Sequence, residues 1–419
     1  MAAVEQVLAG QAATTAWQED LYRDLHAHPE LSHAEHGSAA TMAAKLRELG
    51  FEVTEGIGGT GVVGVLRNGE GPTVLMRADM DALPVEELTG LPYASLARGV
   101  DRDGIDVPVM HACGHDVHMT WLLGACELLA RGAAHWQGTY VALFQPAEET
   151  GDGAQGMVAD ALTDRVPRPD VALGQHVMPH RAGLILTRAG ATMAQSDSIR
   201  VTVHGRGAHG SMPHYGVDPI VLASAIVQRL QSIVAREVSP LEFAVVTVGS
   251  IHAGTKSNII PALAELQLNV RTYDTAVRDR VLAAIERIIR AECAAAGSGR
   301  EPEITFFDQV PLTVNDDGVT RVVTDALAAV FGDAVQESEP ITGGEDFSHL
   351  PNAWGVPYLF WFIGGTDPDV WDSAVARGRL LEDIPSNHSP FFAPVIQPTL
   401  EVGTRAAVVA ALAYLAPMC

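Results

Sequence analysis

The pattern of apolar and polar positions changes twice along the chain, and each change predicts a domain boundary. Before residue 195, segments with apolar residues at helical spacing alternate with short apolar runs typical of strands. Residues 36–50 and 117–132 are predicted helices, and Asn68-Gly69 between two β-type runs predicts a β-hairpin. Alternating helices and strands of this kind favour a parallel or mixed sheet that is covered by helices.

Residues 195–307 differ from the rest, because strands with polar-apolar alternation flank two long amphipathic helices there. Their predicted order, β-α-β-β-α-β, matches a ferredoxin-like sandwich. After residue 308 the first pattern returns, with a helix, the apolar strand WGVPYLFWFIGG and a closing helix. The predicted fold class is therefore α/β. A first domain is formed by residues 1–194 and 308–419, and a smaller α+β domain is inserted between them.

Composition narrows the classes of partner. The net charge of −24 and the pI near 4.9 argue against nucleic acid and anionic membranes, because both attract basic surfaces. No apolar run reaches the ~18 residues of a membrane-spanning helix, and the first residues lack the basic start of a signal peptide. Four cysteines in 419 residues do not predict a disulfide framework, so a reducing cytoplasm is the expected compartment.

The stretch HACGHDVHM, residues 111–119, is the first candidate for chemistry. Cys113 and His115 are two positions apart and would point away from each other on a helix, so they converge only in a loop. Gly114 between them permits such a loop, and Asp116 is then predicted to cap the following helix. The alternative is a helix start with scattered polar residues and no metal.

Four side chains elsewhere extend the candidate site. Glu148 and Glu149 follow a predicted buried strand, where two adjacent carboxylates need a nearby cation. His176 ends another predicted buried strand, and His388 lies in a predicted turn near the C-terminus. Alone, each has an ordinary alternative, a solvated acidic loop or a structural histidine. With the Cys-x-His pair they supply a thiolate, three imidazoles and a carboxylate, which exceed one tetrahedral zinc and suit two metal ions that share a bridge.

Nine motifs then occur in order over nearly the whole chain: HAHPELS (26–32), RADMDALPVEE (77–87), HACGHDVH (111–118), QPAEE (145–149), GQHV (174–177), GRGAHGSMPH (205–214), GTKSNIIP (254–261), GGEDF (343–347) and NHSPFF (387–392). The set resembles the amidohydrolase branch of the dinuclear-metal aminoacylase and carboxypeptidase family. That branch includes hippurate hydrolases, aminoacylases and auxin-conjugate hydrolases.

The resemblance implies a metallopeptidase-like catalytic domain that binds two divalent metal ions. It implies Glu148 as the catalytic acid and base. The side chains that it implies as metal ligands are Cys113, His115, Glu149, His176 and His388. Thiolate, imidazole and carboxylate together suit Zn²⁺, and Mn²⁺, Co²⁺ or Ni²⁺ can substitute for it.

One motif departs from the wider family, which carries His-x-Asp on its second strand. This chain has Arg77-Ala78-Asp79 at that place, so no metal ligand is assigned there, and Asp79 is a candidate for a supporting role. His26 and His28 belong to the signature of the branch, and we expect both to be structural.

The resemblance also covers the inserted domain, which it implies to be a lid and dimerisation domain, and hence a homodimer. It implies that His209 reaches the carbonyl oxygen of the substrate and that Asn258 and Arg271 hold the substrate carboxylate. A planar guanidinium suits this role because it binds a carboxylate through two hydrogen bonds, although an ordinary surface arginine is the alternative for Arg271. Arg206 receives no assignment.

A competing motif is the G-x-G-x-x-G pattern at Gly59–Gly64, which is shared with dinucleotide-binding proteins. That fingerprint requires a helix directly after it, whose N-terminus binds the pyrophosphate. Here a strand pattern follows instead, and no second βαβ unit supplies an acidic residue. A dinucleotide cofactor is therefore rejected.

The predicted function is hydrolysis of the amide bond of N-acyl-L-amino acids, which yields a carboxylic acid and a free amino acid. The alternative within the same chemistry is a dipeptidase or a carbamoyl-amino acid hydrolase. A binding protein without catalytic activity is a third class, and it is disfavoured because every implied ligand and Glu148 are present.

Overall fold

The computed structural model describes residues 2–416, which divide into two compact units. The first unit comprises the residues up to Thr192, Val314–Glu339 and the residues from Asp346 onward. The second unit comprises Met193–Thr313 and Pro340–Glu345, and is longer than the predicted insertion at residues 195–307. The segment Pro340–Glu345 is attached to the second unit by hydrogen bonds. The backbone N–H of Ala194 donates to the carbonyls of Ile341 and Gly343, at 3.1 and 3.0 Å.

The strands of the described chain are β1 (Glu52–Ile57), β2 (Gly61–Asn68), β3 (Thr73–Asp79), β4 (Arg98–Val100), β5 (Asp106–Pro108), β6 (Gly138–Gln145), β7 (Val171–Arg181), β8 (Ile185–Thr187), β9 (Gly190–Met193), β10 (Gln195–His204), β11 (Ala208–His209), β12 (Ala244–Ala253), β13 (Ile259–Ile260), β14 (Leu263–Thr272), β15 (Glu303–Val310), β16 (Thr313–Asn315), β17 (Val335–Glu337) and β18 (Tyr358–Thr366).

The α-helices are α1 (Ala2–Leu8), α2 (Gln11–Ala27), α3 (His36–Glu48), α4 (His115–Arg131), α5 (Gly153–Ala159), α6 (Leu162–Arg165), α7 (Pro219–Arg236), α8 (Thr275–Ala295), α9 (Asp317–Phe331), α10 (His349–Trp354), α11 (Pro368–Arg377), α12 (Leu380–Asp383) and α13 (Ile396–Leu415). Both helices predicted in the first part of the chain are present, as α3 and α4.

The first unit is built on an eight-stranded sheet with the order β1-β2-β6-β3-β7-β18-β8-β17. Its centre is parallel, from β6 through β3 and β7 to β18, whereas β1, β2 and β8 join it in antiparallel pairs. The central strands are almost fully buried, which explains why they form continuous apolar runs in the sequence. Helices α2, α4 and α13 pack on one another beside this sheet. The predicted large mixed sheet is confirmed.

The predicted β-hairpin around Asn68-Gly69 is wrong. Strands β2 and β3 do not pair, because β6 lies between them, antiparallel to β2 and parallel to β3. The side-chain amide of Asn68 donates instead to the carbonyls of Ala133 and Trp136, at 2.6 and 2.7 Å. The hairpin of this region is β1–β2, and its turn and second strand contain the Gly59–Gly64 motif with no helix after it.

The second unit has a four-stranded antiparallel sheet with the order β12-β14-β10-β15 and two helices, α7 and α8. This strand order and the element sequence β-α-β-β-α-β are those of a ferredoxin-like sandwich. Asp218 and Asp274 cap the two helices, because the side chain of Asp218 accepts hydrogen bonds from two backbone N–H groups of the first turn and that of Asp274 accepts one. One face of the sheet packs on the apolar faces of both helices and forms a separate core.

Within residues 2–416, every helix is too short or too polar to cross a lipid bilayer. Cys113, Cys126 and Cys293 are free thiols, and all three are buried. The fourth cysteine, Cys419, lies outside the described residues.

Candidate metal centre

A left-handed glycine places the Cys-x-His pair at the start of a buried helix. Gly114 has a φ of 83°, and a Cβ atom there would lie 2.4 Å from Cγ1 of Val177, so only glycine fits. Cys113 ends the turn before it, and His115 is the first residue of α4. Gly114 therefore places the two predicted donors on either side of a left-handed turn.

The predicted capping role of Asp116 is wrong. Gly114 occupies the N-cap position of α4, and Asp116 lies inside the first turn. One of its oxygens accepts a hydrogen bond from the neighbouring backbone N–H of Val117, at 2.9 Å. The other lies 2.6 Å from Nδ1 of His26, in a fully buried pair. Asp116 therefore ties α4 to α2, and this tertiary contact takes the place of the local cap.

The structure brings the five implied metal ligands into one cluster. Sγ of Cys113 lies 3.4 Å from Nε2 of His176. The two carboxylate oxygens of Glu149 lie 3.4 Å from Nε2 of His388 and 3.8 Å from Nε2 of His115. The prediction that His176 lies at the end of its strand is wrong, because His176 lies in the middle of β7. The donors come from four separate parts of the first unit, so only folding assembles them.

Glu148 lies at the edge of this cluster. Its Oε2 atom is 4.0 Å from Nε2 of His115, whereas Glu149 lies among Cys113, His115 and His388. Adjacent carboxylates in one loop therefore have different surroundings.

Two non-glycine residues near the candidate centre have a left-handed backbone conformation, which is unfavourable for any residue with a Cβ atom. His388 has a φ of 69°, and Ala147, directly before Glu148, has a φ of 52°. Such left-handed residues cost about 1–2 kcal/mol each and persist where surrounding contacts fix them. The N–H of His388 donates to the carbonyl of Ala112 at 2.8 Å, and that of Ala147 donates to the buried carboxylate of Glu35 at 2.9 Å. This strain favours a functional role for both loops.

The donor atoms fit a metal site. Within the described residues, Nε2 of His115 and Oε1 of Glu149 are buried without a hydrogen-bond partner. The Nδ1–H of His176 donates to the carbonyl of Val177 at 2.7 Å, so the lone pair of Nε2 is directed to the side of Cys113. Buried polar atoms are nearly always paired, so these lone pairs indicate a ligand.

His118 is not available as a ligand, although it lies in the same buried group as His115 and His176. Its Nδ1 lies 2.5 Å from a carboxylate oxygen of Asp79, and its Nε2 accepts from the N–H of Val177 at 2.9 Å. Both ring nitrogens are therefore used, and the ring is held as the Nδ1–H tautomer. This agrees with the supporting role that the sequence suggests for Asp79.

Asp79 owes its charge to Arg77, the residue that departs from the wider family. Burial opposes ionisation, but the guanidinium of Arg77, 2.7 Å away, and the neighbouring histidines hold the pKa of Asp79 well below its usual range. Arg77 also donates to the side chain of Gln145 at 2.9 Å. The arginine therefore balances a fully buried carboxylate next to the candidate centre.

Two residues of the centre carry no role in the sequence-based prediction. Asp81 is buried, and its two oxygens contact Nδ1 of His115 at 3.2 Å and the N–H of Glu149 at 3.0 Å. The side-chain amide of Asn387 lies 3.7 Å from Sγ of Cys113. A signal existed for Asp81, because residues i and i+2 point to one side of an extended chain, and Asp79 and Asp81 have this spacing.

The electrostatics of the cluster also suit cations. Burial and the charges of Glu149 and Glu148 raise the pKa of the Cys113 thiol well above its usual range. Burial, reinforced by Asp81 and Asp79, raises the pKa of Glu149 to about 8 despite the proximity of His115. Several acidic groups can be ionised side by side at neutral pH when a positive charge lies among them.

The two signature histidines differ in their surroundings. His26 is fully buried between Asp116 and Glu87, with its Nε2 3.1 Å from the Glu87 carboxylate. His28 is exposed and contacts Asp24 in its own helix turn. His26 therefore forms buried contacts within the first unit, whereas His28 lies at the surface of that unit.

We expect His26 to make stability depend on pH. Burial opposes its protonation, but hydrogen bonds to Asp116 and Glu87 raise its pKa to about 10. Because this exceeds the unfolded value of about 6.5, the stabilisation is complete below pH ~6.5 and is lost as the pH rises towards the folded value. The measurement is the free energy of unfolding of wild type and His26→Gln between neutral and alkaline pH. The variant should lack the decline that wild type shows.

His28→Gln is the matched control, because it changes an exposed histidine two residues away. It should keep the pH dependence of wild type. Equal slopes for all three proteins would show that His26 is neutral in the folded state.

The inserted-domain residues all lie in the second unit. His209 is exposed, and its Nδ1 contacts the hydroxyl of Ser211 at 2.7 Å. Strand β11 pairs with β13 and brings His209 beside Asn258, whose carbonyl accepts from the N–H of Gly210 at 2.8 Å. The structure thus brings two of the three implied substrate contacts together.

Arg271, the third implied contact, lies on β14. It donates to the side chain of Asn269 at 2.9 Å and to the carbonyl of Thr342 at 2.8 Å, which orients its guanidinium. Arg206 donates to the carbonyl of Tyr215 at 2.8 Å, so its observed contact is within its own loop.

Comparison with known proteins identifies the class to which this fold and cluster belong. The sequence profile of peptidase family M20/M25/M40 matches residues 75–378. The hippurate hydrolase of Campylobacter jejuni is 39% identical over 348 residues, which are 82% of this chain and 87% of that protein. Thermostable carboxypeptidase 2 of Saccharolobus solfataricus is 39% identical over 354 residues, 83% of this chain and 86% of its own length.

Among solved structures, the YXEP protein of Bacillus subtilis, described as a dinuclear metal-binding peptidase of family M20, superposes with a TM-score of 0.76. It is 29% identical and covers 97% of this chain and 100% of its own. The chain is thus a metallopeptidase-like hydrolase. It belongs to peptidase family M20/M25/M40, which confirms the resemblance found in its motifs.

Proposed function

We propose that this protein hydrolyses the amide bond of N-acyl-L-amino acids to release a carboxylic acid and a free amino acid. The observation that carries the proposal is the cluster of thiol, imidazole and carboxylate groups beside Glu148, in which Nε2 of His115 and Oε1 of Glu149 have no hydrogen-bond partner. The hippurate hydrolase that is 39% identical supports it, because hippurate is such an N-acyl amino acid.

The proposed metal ligands are Cys113, His115, Glu149, His176 and His388. We propose two divalent ions, with Zn²⁺ the best match to thiolate and imidazole and with Mn²⁺, Co²⁺ or Ni²⁺ as substitutes. When bound, such ions supply a Lewis acid for the substrate carbonyl and a water of lowered pKa.

Glu148 is the proposed proton carrier. Its carboxylate lies beside the donors and is not enclosed among them, so it can accept a proton from the attacking water and pass it to the leaving amine. Neighbouring side chains orient the proposed ligands. Asp81 orients His115 and the backbone of Glu149, and Asn387 lies against Cys113.

Residues of the second unit are proposed to recognise the substrate. Asn258 and Arg271 suit its carboxylate, and His209 suits its carbonyl oxygen. The guanidinium of Arg271 is held by Asn269, which favours a fixed donor geometry. We further propose that this unit acts as a lid and joins two chains in a cytoplasmic homodimer.

A dipeptidase or carboxypeptidase activity is the second candidate, because a relative of equal identity is named a carboxypeptidase. The test is a panel of N-acetyl-, N-benzoyl- and long-chain acyl-amino acids, dipeptides and N-carbamoyl-amino acids, with enzyme that has been loaded with metal. We expect kcat/KM to be highest for acyl-amino acids. Hydrolysis of dipeptides or carbamoyl compounds alone would contradict the proposal.

A further inference from the structure

A buried carboxylate outside the donor cluster connects separate segments of the first unit. Glu35 lies directly before α3, at its N-cap position, and is fully buried. Its Oε1 atom accepts from the backbone N–H groups of His33 and Ala147, at 2.8 and 2.9 Å. Its Oε2 atom accepts from the hydroxyl of Thr60 at 2.6 Å. The side chain of Glu35 therefore connects the start of α3 to two distant parts of the chain.

Both backbone donors belong to residues with a left-handed conformation. His33 has a φ of 66°, and Ala147 has a φ of 52°. A residue with a Cβ atom adopts this region at a cost in free energy, so it persists where surrounding contacts fix it. The carbonyl of Ala147 also has a partner, because the N–H of Gly153 donates to it at 3.0 Å. Both polar backbone groups of Ala147 therefore fix its conformation.

Glu148 lies between two residues whose backbone N–H groups are held by buried carboxylates. Glu35 accepts from Ala147, the residue before Glu148. Asp81 accepts from Glu149, the residue after it, at 3.0 Å. Because the backbone dihedral angles set the direction in which a side chain leaves the chain, these two contacts determine where Glu148 points.

The glycine-rich turn between β1 and β2 supports the same loop. Thr60, which donates to Glu35, lies in this turn. Gly61 belongs to the G-x-G-x-x-G pattern, and a Cβ atom there would lie 3.3 Å from Cδ of Pro146 and 2.9 Å from Cε of Met157. The pattern therefore lets the turn pack closely against Pro146, directly before Ala147.

We infer that Glu35 is a positioning residue for Glu148, because it fixes the left-handed conformation of Ala147 and so directs the Glu148 carboxylate towards the donor cluster. The inference rests on the proposed function, in which Glu148 carries the proton. A displacement of about 1 Å at a reacting group can lower a rate about 10²-fold, so this role has a large expected effect.

The proposed metal ligands should depend much less on Glu35. Glu149 has its own contact with Asp81, and the other four ligands lie on other segments of the chain. Loss of the contact between Glu35 and Ala147 should therefore lower kcat without loss of bound metal and without a rise in KM. A purely structural role would reduce the amount of folded enzyme and leave the kcat of each folded molecule unchanged.

The experiment compares Glu35→Asp with Glu35→Gln in folded, metal-loaded enzyme. Aspartate keeps the charge but withdraws the carboxylate by ~1.5 Å, out of hydrogen-bond range of the Ala147 N–H. Glutamine keeps the length, so its carbonyl oxygen can accept from Ala147 and His33 while its amide donates to the Thr60 hydroxyl. Burial and the charge of Asp81 raise the pKa of Glu35, so a neutral side chain suits this position.

We expect Glu35→Asp to lower kcat for the best acyl-amino acid about 10²-fold, because Glu148 is displaced. Glu35→Gln should stay within about fivefold of wild type, the weight of one ordinary hydrogen bond. Metal content and KM of both variants should match those of wild type. The reverse order of the two variants, or the kcat of wild type in both, would overturn the inference.

Glu30→Asp is the matched control. Glu30 lies in the same segment and accepts from the backbone N–H groups of Gly37 and Ser38 at the start of α3, both at 2.8 Å. The same shortening there disturbs α3 and not the contact with Ala147, so kcat should equal that of wild type. A loss as large as that of Glu35→Asp would assign the effect to α3 and contradict the inference.

Crystal structures without substrate separate this inference from the proposed function. In Glu35→Asp, Ala147 should leave the left-handed region, and Oε2 of Glu148 should move from its place 4.0 Å from Nε2 of His115. Glu35→Gln should keep both features. These results support the positioning role even if wild type hydrolyses none of the acyl-amino acids, a finding that would refute the proposed function alone. An unchanged Glu148 in Glu35→Asp would overturn the inference even if all the compounds are hydrolysed.

Discussion

Glu148→Gln is expected to lower kcat for the best acyl-amino acid by about 10²–10⁴-fold, the usual contribution of a general acid and base. Glutamine keeps the shape of the side chain but cannot accept a proton from water or deliver one to the leaving amine. Bound metal should remain as in wild type, because Glu148 lies at the edge of the donor cluster. Elemental analysis and steady-state kinetics of the same preparation give both quantities.

Asp152→Asn is the matched control for this variant. It removes a charge from the same loop, but Asp152 forms an exposed ion pair with Arg102, of the kind worth at most ~1 kcal/mol. Its kcat should stay within a few-fold of that of wild type. Near-normal turnover by Glu148→Gln, or a loss of metal equal to its loss of activity, would remove Glu148 from the proposed role.

Cys113→Ala is expected to lower the metal content below two ions per chain and to abolish most activity. The thiolate is the soft donor of the cluster, and alanine leaves His176 without the partner 3.4 Å away. Loss of an outer-shell contact already weakens metal binding by about 10–100-fold, so loss of a ligand should exceed that. Elemental analysis after gel filtration at a series of free metal concentrations measures the change.

Cys126→Ala provides the comparison, because Cys126 is also a buried thiol of the first unit, lying in α4 and belonging to its hydrophobic core. It should keep both ions and cost only the stability of a small core truncation, about 1 kcal/mol. Two ions bound as tightly by Cys113→Ala as by wild type would exclude the thiol as a ligand.

The candidate metal centre shows why the local sequence pattern is not sufficient for assigning a role to each histidine. Cys113, His115, Glu148 and Glu149 are identifiable in the sequence because their spacing and their position after buried strands restrict where they can point. His118 has the same residue type and lies three positions after His115. Its two nitrogens are nevertheless occupied by Asp79 and the backbone of Val177, which come from other parts of the chain. Only these partners distinguish a supporting histidine from a ligand.

The same reasoning explains the predictions that are wrong. Asn68-Gly69 is a strong local turn signal, but the strand that separates β2 from β3 is β6, which begins at Gly138. Asp116 is a good capping residue, but its charge is used by a buried histidine of another helix. Asp81 has no motif of its own, and its role arises because His115 and Glu149 fold against it.

The sequence by itself determined the alternation of elements, the two-part organisation and the family, because periodicity, glycine positions and ordered motifs are local properties of the chain. It also determined the candidate donors, whose residue types restrict the chemistry. The tertiary structure alone decided the order of strands in the mixed sheet and the hydrogen-bond partner of each buried polar group. The reason is physical, since each of these depends on contacts between residues far apart in the chain, and such contacts form only when the whole core is packed.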